Sequence, residues 1–270
     1  MTTTRDLREA AGEEPITMLT AYDAPTATVV EAAGVDVILV GDSMGNAVLG
    51  YDDTLPVTVD EVKSRTAAVA RATDEPLVVA DMPFLSFGVD ESDSVEQAGR
   101  MLKEADADAV KLESGPHTVD LTERLVELGI PVMAHLGLTP QHVNQLGGYH
   151  RQGTDEDAAA ELLELAEAHA EAGAFALVLE HVPANLASSV TEALSIPTIG
   201  IGAGPETDGQ VLVINDVLGL SDRAPPFAEQ FGDVRAEMRD AVDGFREAVE
   251  DGSFPAEEHS HYESDVDDVY

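Results

Sequence analysis

Five apolar stretches of this chain each end in a side chain that can ligate a metal or move a proton. VDVILVGDS closes on Asp42 and Ser43, PLVVADM on Asp81, ADAVKLE on Lys111 and Glu113, PVMAHLG on His135, and FALVLEH on Glu180. Ionisable groups set repeatedly where parallel strands stop are the layout of a catalytic (β/α)8 barrel, whose chemistry gathers at the C-terminal mouth. The pattern points to an enzyme.

Asp42, Asp81 and Glu113 fall at the ends of successive strands, and neighbouring strands lie about 4.8 Å apart, so the three carboxylates can converge on one hard cation. Cysteine is absent, and no histidines are paired. An oxygen-only ligand set favours Mg2+, which takes one or two carboxylates and keeps waters for a substrate to displace. The structural alternative for each is a helix cap or an arginine partner. Three on consecutive strands argue for the metal.

Lys111 and Glu113, two residues apart, share one face of their strand. Either they form a buried pair, or the ammonium beside a divalent metal makes a site for an anionic substrate. Glu180 ends an apolar strand, where desolvation favours the protonated carboxyl and suits a general base. A salt bridge at the mouth is its alternative. His135 either polarises a substrate oxygen or shuttles a proton, or else it is a hydrogen-bonded structural group. His142, His150, His169 and His181 fall by pattern in loops or on exposed helix faces and are assigned no role.

Two motifs are set aside. Gly41 to Gly45 matches G-x-S-x-G, the nucleophile elbow of hydrolases, but that fold needs several strands before its serine and here one precedes Ser43. Gly200-Ile201-Gly202-Ala203-Gly204 has the look of a phosphate loop after strand seven of a barrel, although close packing by small residues explains it equally and is preferred.

The elements that would position these groups follow from periodicity. Val/Ile/Leu-rich runs at about 16–20, 36–41, 77–81, 108–113, 131–135, 175–180, 197–201 and 210–214 alternate with amphipathic stretches near 24–33, 58–72, 92–105, 117–128, 156–172, 183–194 and 227–250. That alternation is the signature of parallel strands joined by crossover helices. Eight strands close a barrel, and the link between the last two is too short for a helix. The long connections 43–57 and 136–154 both follow strands that end in candidate site groups. The second carries Gly147-Gly148-Tyr149, either a lid or a surface connection.

The 270 residues suit a single barrel of about 250, with a short acidic tail from about 256 to 270. No apolar run reaches the roughly 18 residues of a membrane helix, and the first fifteen residues lack a signal-peptide core, so the expectation is a cytoplasmic protein. Asp and Glu outnumber Lys and Arg 53 to 14, a formal net charge of −39 that argues against nucleic-acid or anionic-membrane partners. The acidity runs through every amphipathic helix and shows no calcium-loop pattern. It fits adaptation to a salt-rich cytoplasm, where at about 1 M salt the screening length falls to roughly 3 Å. Lysine survives at Lys63, Lys103 and Lys111, and the last sits on a barrel strand.

Taken together, TAYD (20–23), LVGDSMGN (39–46), TLPVTVDEV (54–62), ADMPF (80–84), VKLE (110–113), HLGLTPQ (135–141), GGYHRQG (147–153), LVLEHVP (177–183), PTIGIGAG (197–204) and EEHS (257–260) resemble the ketopantoate hydroxymethyltransferase family. The resemblance runs from about 16 to 260. It implies a (β/α)8 barrel of the phosphoenolpyruvate/pyruvate type and transfer of a hydroxymethyl group from 5,10-methylenetetrahydrofolate, or a related pterin, to 2-oxoisovalerate in pantothenate and coenzyme A biosynthesis. It further implies that Asp42, Asp81 and Glu113 serve Mg2+, Glu113 through water. Asp42, Ser43, Asp81 and Lys111 would hold the oxo acid, Glu180 would accept a proton, and the chain would assemble as a homo-oligomer, a decamer. The chain departs from the family at Ser221 to Phe227, where relatives are more basic, and at the acidic residues from His261. Outside this reading stand another Mg2+-dependent enolate enzyme of the same barrel type, a carbon–carbon lyase or phosphonomutase, and a non-catalytic oligomeric scaffold.

Overall fold

A computed structural model describes residues 1–263; the last part of the acidic tail, 264–270, lies outside the described residues. By its contacts the described chain divides into two compact units, Met1–Ile214 with Pro225–Ala228, and Asn215–Ala224 with the described residues that follow Ala228.

The first unit is a closed barrel of eight parallel strands in sequence order. The strands are β1 Ile16–Thr20, β2 Val37–Val40, β3 Leu77–Asp81, β4 Ala109–Glu113, β5 Val132–Gly137, β6 Ala176–Glu180, β7 Thr198–Ile201 and β8 Gly209–Leu212, and β8 closes on β1. Residues of β2, β3 and β4 are buried throughout, as expected of strands covered on both faces. Helices α2 Ala24–Ala32, α3 Val59–Ala70, α4 Glu91–Ala105, α5 Val119–Glu127, α7 Glu156–Glu171 and α8 Ala184–Ala193 form the outer layer, with α1 Thr4–Ala10 ahead of the barrel and a single turn, α6 Val143–Leu146, in the loop after β5. No helix joins β7 to β8, as the short link requires.

Side-chain alternation explains how the barrel serves the site. Val79, Ala109, Met133 and Val178 belong to one buried cluster that also takes in Ile16, Met18, Val37, Leu39, Ile199 and Val211. Stepping two residues along each strand stays on the same face. From that cluster the step leads to Asp81, Lys111 and then Glu113, His135 and Glu180. The strands thus carry an apolar interior that becomes ionisable in its upper layer. The opposite faces of β5 and β6, with Ala134, Leu136, Leu177 and Leu179, pack on Leu162 and Ala166 of α7 and Leu186, Ala187 and Val190 of α8.

Helix α1 was not expected from the sequence. Thr3 and Asp6 form its capping box, and Leu7 joins the barrel's inner cluster. In the second unit a helix spans Val234–Glu250, starting later than the expected 227 because Asp233 is its N-cap, accepting from the N–H of Ala236. Among the described residues no helix is long and apolar enough to cross a membrane.

Candidate active site

Strand register assembles the site. Asp81 of β3 is the register partner of Lys111 on β4, Glu113 of β4 of His135 on β5, and Gly137 of β5 of Glu180 on β6. Asp42 follows β2 by two residues, and its backbone N–H donates to Oδ2 of Asp81 at 3.1 Å. Asp42, Asp81, Lys111, Glu113 and His135 are each at most 4% exposed.

Lys111 pairs across strands and not along its own. Its Nζ lies 2.9 Å from Oδ1 of Asp81, an ion pair off the angles of a hydrogen bond, and 3.3 Å from Nδ1 of His135. Nε2 of His135 in turn lies 3.2 Å from Oε2 of Glu180, again not in hydrogen-bond alignment. The chain Asp81–Lys111–His135–Glu180 therefore links three strands to the end of a fourth. Glu180, its side chain 16% exposed, is the member that reaches solvent.

Gln141, quoted in the sequence only as the end of HLGLTPQ and given no role there, completes the group. Gln141, buried in the loop after β5, donates from Nε2 to Oδ2 of Asp42 at 2.9 Å and to the carbonyl of Met82 at 3.0 Å. Its backbone N–H donates to Oε2 of Glu113 at 2.9 Å. One amide residue thus bridges two carboxylates from β2 and β4 and pins the start of the long connection, whose Tyr149 stays half-exposed. Ser43 shares a 2.8 Å hydrogen bond with the hydroxyl of Tyr22 beside the same mouth.

The electrostatics are one-sided. Burial first, and the charge of Asp81 second, push the Asp42 carboxyl up to about 7 against the pull of Lys111 and Gln141. Burial and the Asp42 charge hold Glu113 well above the usual carboxylate range. Burial opposes the charge on Lys111, but Asp81, Glu113 and Asp42 outweigh it and raise its pKa. Burial, then Lys111, keeps His135 below its ordinary value despite Glu180.

These observations test the expectation of a metal. Three buried carboxylates face one ammonium, and Oδ1 of Asp81 has no hydrogen bond, a deficit of positive charge that is costly away from water. A hard divalent cation held by one or two carboxylates and water answers both, so the donor set fits Mg2+. Among the described residues no three His, Asp or Glu side chains already form a metal cage. Gln141 bridges Asp42 and Glu113 while Lys111 holds Asp81, so a cation would enter by exchanging contacts within this network.

The remaining histidines and glycines divide cleanly. His169 is a correction: it is fully buried, not on an exposed helix face, with Nδ1 3.1 Å from Oγ1 of Thr122. It lies seven residues after Leu162 and three after Ala166, on the buried face of α7, a spacing that was there to be read. Nδ1 of His142 lies 3.9 Å from Oε2 of Glu113. The glycine run from the end of β7 into the following turn is packing, as preferred above. An added Cβ would meet Thr207 Oγ1 at 2.6 Å from Gly200, the Phe227 ring at 2.7 Å from Gly202, and Ala184 Cβ at 2.4 Å from Gly204.

An eight-stranded parallel barrel with buried carboxylates, an ammonium and a partly exposed carboxylate gathered at one mouth defines a (β/α)8 enzyme. The sequence profile of the ketopantoate hydroxymethyltransferase family matches residues 1–257, and the chain belongs to that family. It is 71% identical to the 3-methyl-2-oxobutanoate hydroxymethyltransferase of the halophilic archaeon Halobacterium salinarum, over all of both chains. In fold it is similar to phosphoenolpyruvate phosphomutase from Streptomyces platensis subsp. rosaceus, with TM-score 0.62, 17% identity and coverage of 98% and 93% of the two chains. It is similar as well to a phosphonopyruvate hydrolase solved with oxalate and Mg2+, with TM-score 0.61, 14% identity and coverage of 96% and 93%.

Proposed function

We propose that this chain transfers a hydroxymethyl group from 5,10-methylenetetrahydrofolate, or a related pterin, to 2-oxoisovalerate (3-methyl-2-oxobutanoate), giving ketopantoate for pantothenate and coenzyme A biosynthesis. The observation that carries the reading is the linked set Asp81–Lys111–His135–Glu180, buried at one end and open at the other, in a chain whose family match runs almost end to end. That match favours this reaction over the carbon–carbon lyase, phosphonomutase and scaffold readings that the fold leaves open.

Asp42 and Asp81 would hold Mg2+, with Glu113 reaching it through water. When bound, the ion polarises the keto oxygen and so makes the neighbouring C–H acidic. Lys111 supplies the fixed positive charge that an anionic oxo acid needs in a protein of net charge −39. Ser43, oriented by Tyr22, adds a hydroxyl for the substrate carboxylate. Glu180 takes the proton from C3, and its exposure lets that proton leave to water. The resulting enolate carbon bonds to the methylene carbon of the donor as one C–N bond of the folate breaks. Water then replaces the second nitrogen on that carbon, leaving the hydroxymethyl group.

Assembly as a homo-oligomer and a cytoplasmic location belong to the same reading, and light scattering at high salt measures the former. Purified protein at high salt, given 2-oxoisovalerate and each donor in turn, should form ketopantoate. Chelation should abolish the activity and Mg2+ restore it. Cleavage of the oxo acid, or no product with any donor, would exclude the assignment.

A further inference from the structure

His135 stands between the buried cation and the partly exposed carboxylate, 3% exposed, with one ring nitrogen toward each. Nδ1 lies 3.3 Å from Nζ of Lys111 and Nε2 lies 3.2 Å from Oε2 of Glu180. A lysine ammonium has three N–H donors and no acceptor, so its contact with Nδ1 requires that nitrogen to accept. The neutral ring must then carry its hydrogen on Nε2, the atom that faces Glu180. We infer that His135, locked by Lys111 in its Nε2–H tautomer, is the positioning residue for Glu180, holding Oε2 so that Oε1 is the oxygen that meets the C3 hydrogen. The inference rests on Glu180 being the base, as proposed above.

Three further observations agree. Nε2 is buried and lacks an aligned hydrogen bond, so it is a donor in search of a partner, with the Glu180 oxygen beside it. Catalytic hydrogen bonds are often misaligned before substrate arrives and tighten around it. Burial and the neighbouring Lys111 charge both keep the ring neutral, the state in which its two nitrogens have opposite roles. The backbone has the rigidity this role needs: His135 lies within β5, and the N–H of Leu138 is anchored on the carbonyl of Glu180 at 2.8 Å. The side chains of both partners therefore pivot from fixed points.

Two substitutions separate the ring's two contacts. His135→Asn places an amide oxygen near the Nδ1 position, keeping the acceptor for Lys111 while leaving Glu180 unheld. His135→Gln reaches the Nε2 position and restores an N–H for Glu180. In Mg2+-loaded enzyme, exchange of the C3 hydrogen of 2-oxoisovalerate with deuterated water should fall about 10²-fold in His135→Asn, the cost of a misplaced catalytic group. His135→Gln should recover most of it, with substrate affinity by calorimetry little changed in both. Equal loss in the two variants, or weakened oxo-acid binding with exchange per bound complex intact, would overturn the inference and make His135 a structural or substrate-contacting group. The tautomer is read independently by 15N NMR of histidine-labelled, Mg2+-loaded protein, with His135→Gln identifying the resonance. A neutral ring protonated on Nε2 is expected; protonation on Nδ1 overturns the inference whatever the rates. Absence of exchange from the wild type would instead overturn the base assignment beneath it, and this inference with it.

Discussion

The two halves of the barrel mouth end in opposite kinds of residue. From β2 to β6 the strands close on Asp42, Asp81, Lys111 with Glu113, His135 and Glu180, five of them almost wholly buried. The end of β7 and the turn after it run through Gly200, Gly202 and Gly204, with φ of +62° at Gly202 and +87° at Gly204, and from Gly200 to Gly204 there is no charged side chain. In the first half, charge is held in a dry place at a cost to stability, which is a mark of function. In the second half the backbone comes so close to Phe227, Ala184 and Thr207 that no side chain fits. Substitutions in the first half should therefore disturb chemistry, and those in the second should disturb folding.

The largest effect is expected at Asp81. Asp81→Asn removes both the partner of Lys111 and a proposed metal ligand, so Mg2+ affinity by calorimetry and turnover should collapse together, turnover by about 10³-fold. Unchanged metal affinity would reduce Asp81 to a counter-ion for Lys111 and blur the contrast between the halves.

Gly202→Ala probes the other half. Its Cβ would sit 2.7 Å from the Phe227 ring at a backbone angle that alanine rarely adopts. A stability loss of about 1–3 kcal/mol is expected, the usual range for overpacking, with turnover per folded molecule near that of the wild type. Lost activity in a fully folded variant would place chemistry on the glycine side.

Gln141 sharpens the comparison from within the charged half. Gln141→Leu leaves Asp42 without its 2.9 Å donor, and Mg2+ affinity should weaken about 10- to 100-fold, as for other groups that orient metal ligands. Full affinity together with easier proteolysis of residues 143–153 would make Gln141 a loop anchor.

The smallest effect lies outside both halves. Burial, set against the Gly115 carbonyl and aided by the charge of His117, holds the His169 pKa below 6.5. The unfolded chain then takes up a proton that the folded one refuses. This contribution to stability is complete above about pH 6.5 and is lost as pH falls through the lower folded value. Melting temperature should drop as pH falls below about 6.5 in the wild type and less so in His169→Gln. Parallel slopes would show that His169 is not the group responsible.

The parts legible in the sequence share a physical cause. Parallel strands buried on both faces, as β2, β3 and β4 are, read as nearly unbroken apolar runs, and the alternation of such runs with amphipathic stretches put all eight strands within a residue or two of their expected places. An Asp, Lys, His or Glu at the end of such a run stands out against it, and this brought Asp42, Asp81, Lys111, Glu113, His135 and Glu180 to notice. What stayed hidden depends on partners distant in sequence. Gln141 sits in a loop without periodicity, and its meaning comes from Asp42, 99 residues away. The pairing of Lys111 with Asp81 in place of Glu113 needs the register of β3 against β4, which no pattern along one strand supplies. His169 was hidden among glutamates, although its spacing from Leu162 and Ala166 marked the buried face.

The most direct test of the central claim follows the C3 hydrogen of 2-oxoisovalerate by NMR in deuterated water, with Mg2+ and no folate, in wild type and Glu180→Gln. The charged half of the mouth should remove that proton by itself, so the wild type should exchange it. Glu180→Gln should be slower by about 10² to 10⁴, the usual worth of a general base, while still binding the oxo acid. Exchange at the wild-type rate in Glu180→Gln would contradict the account.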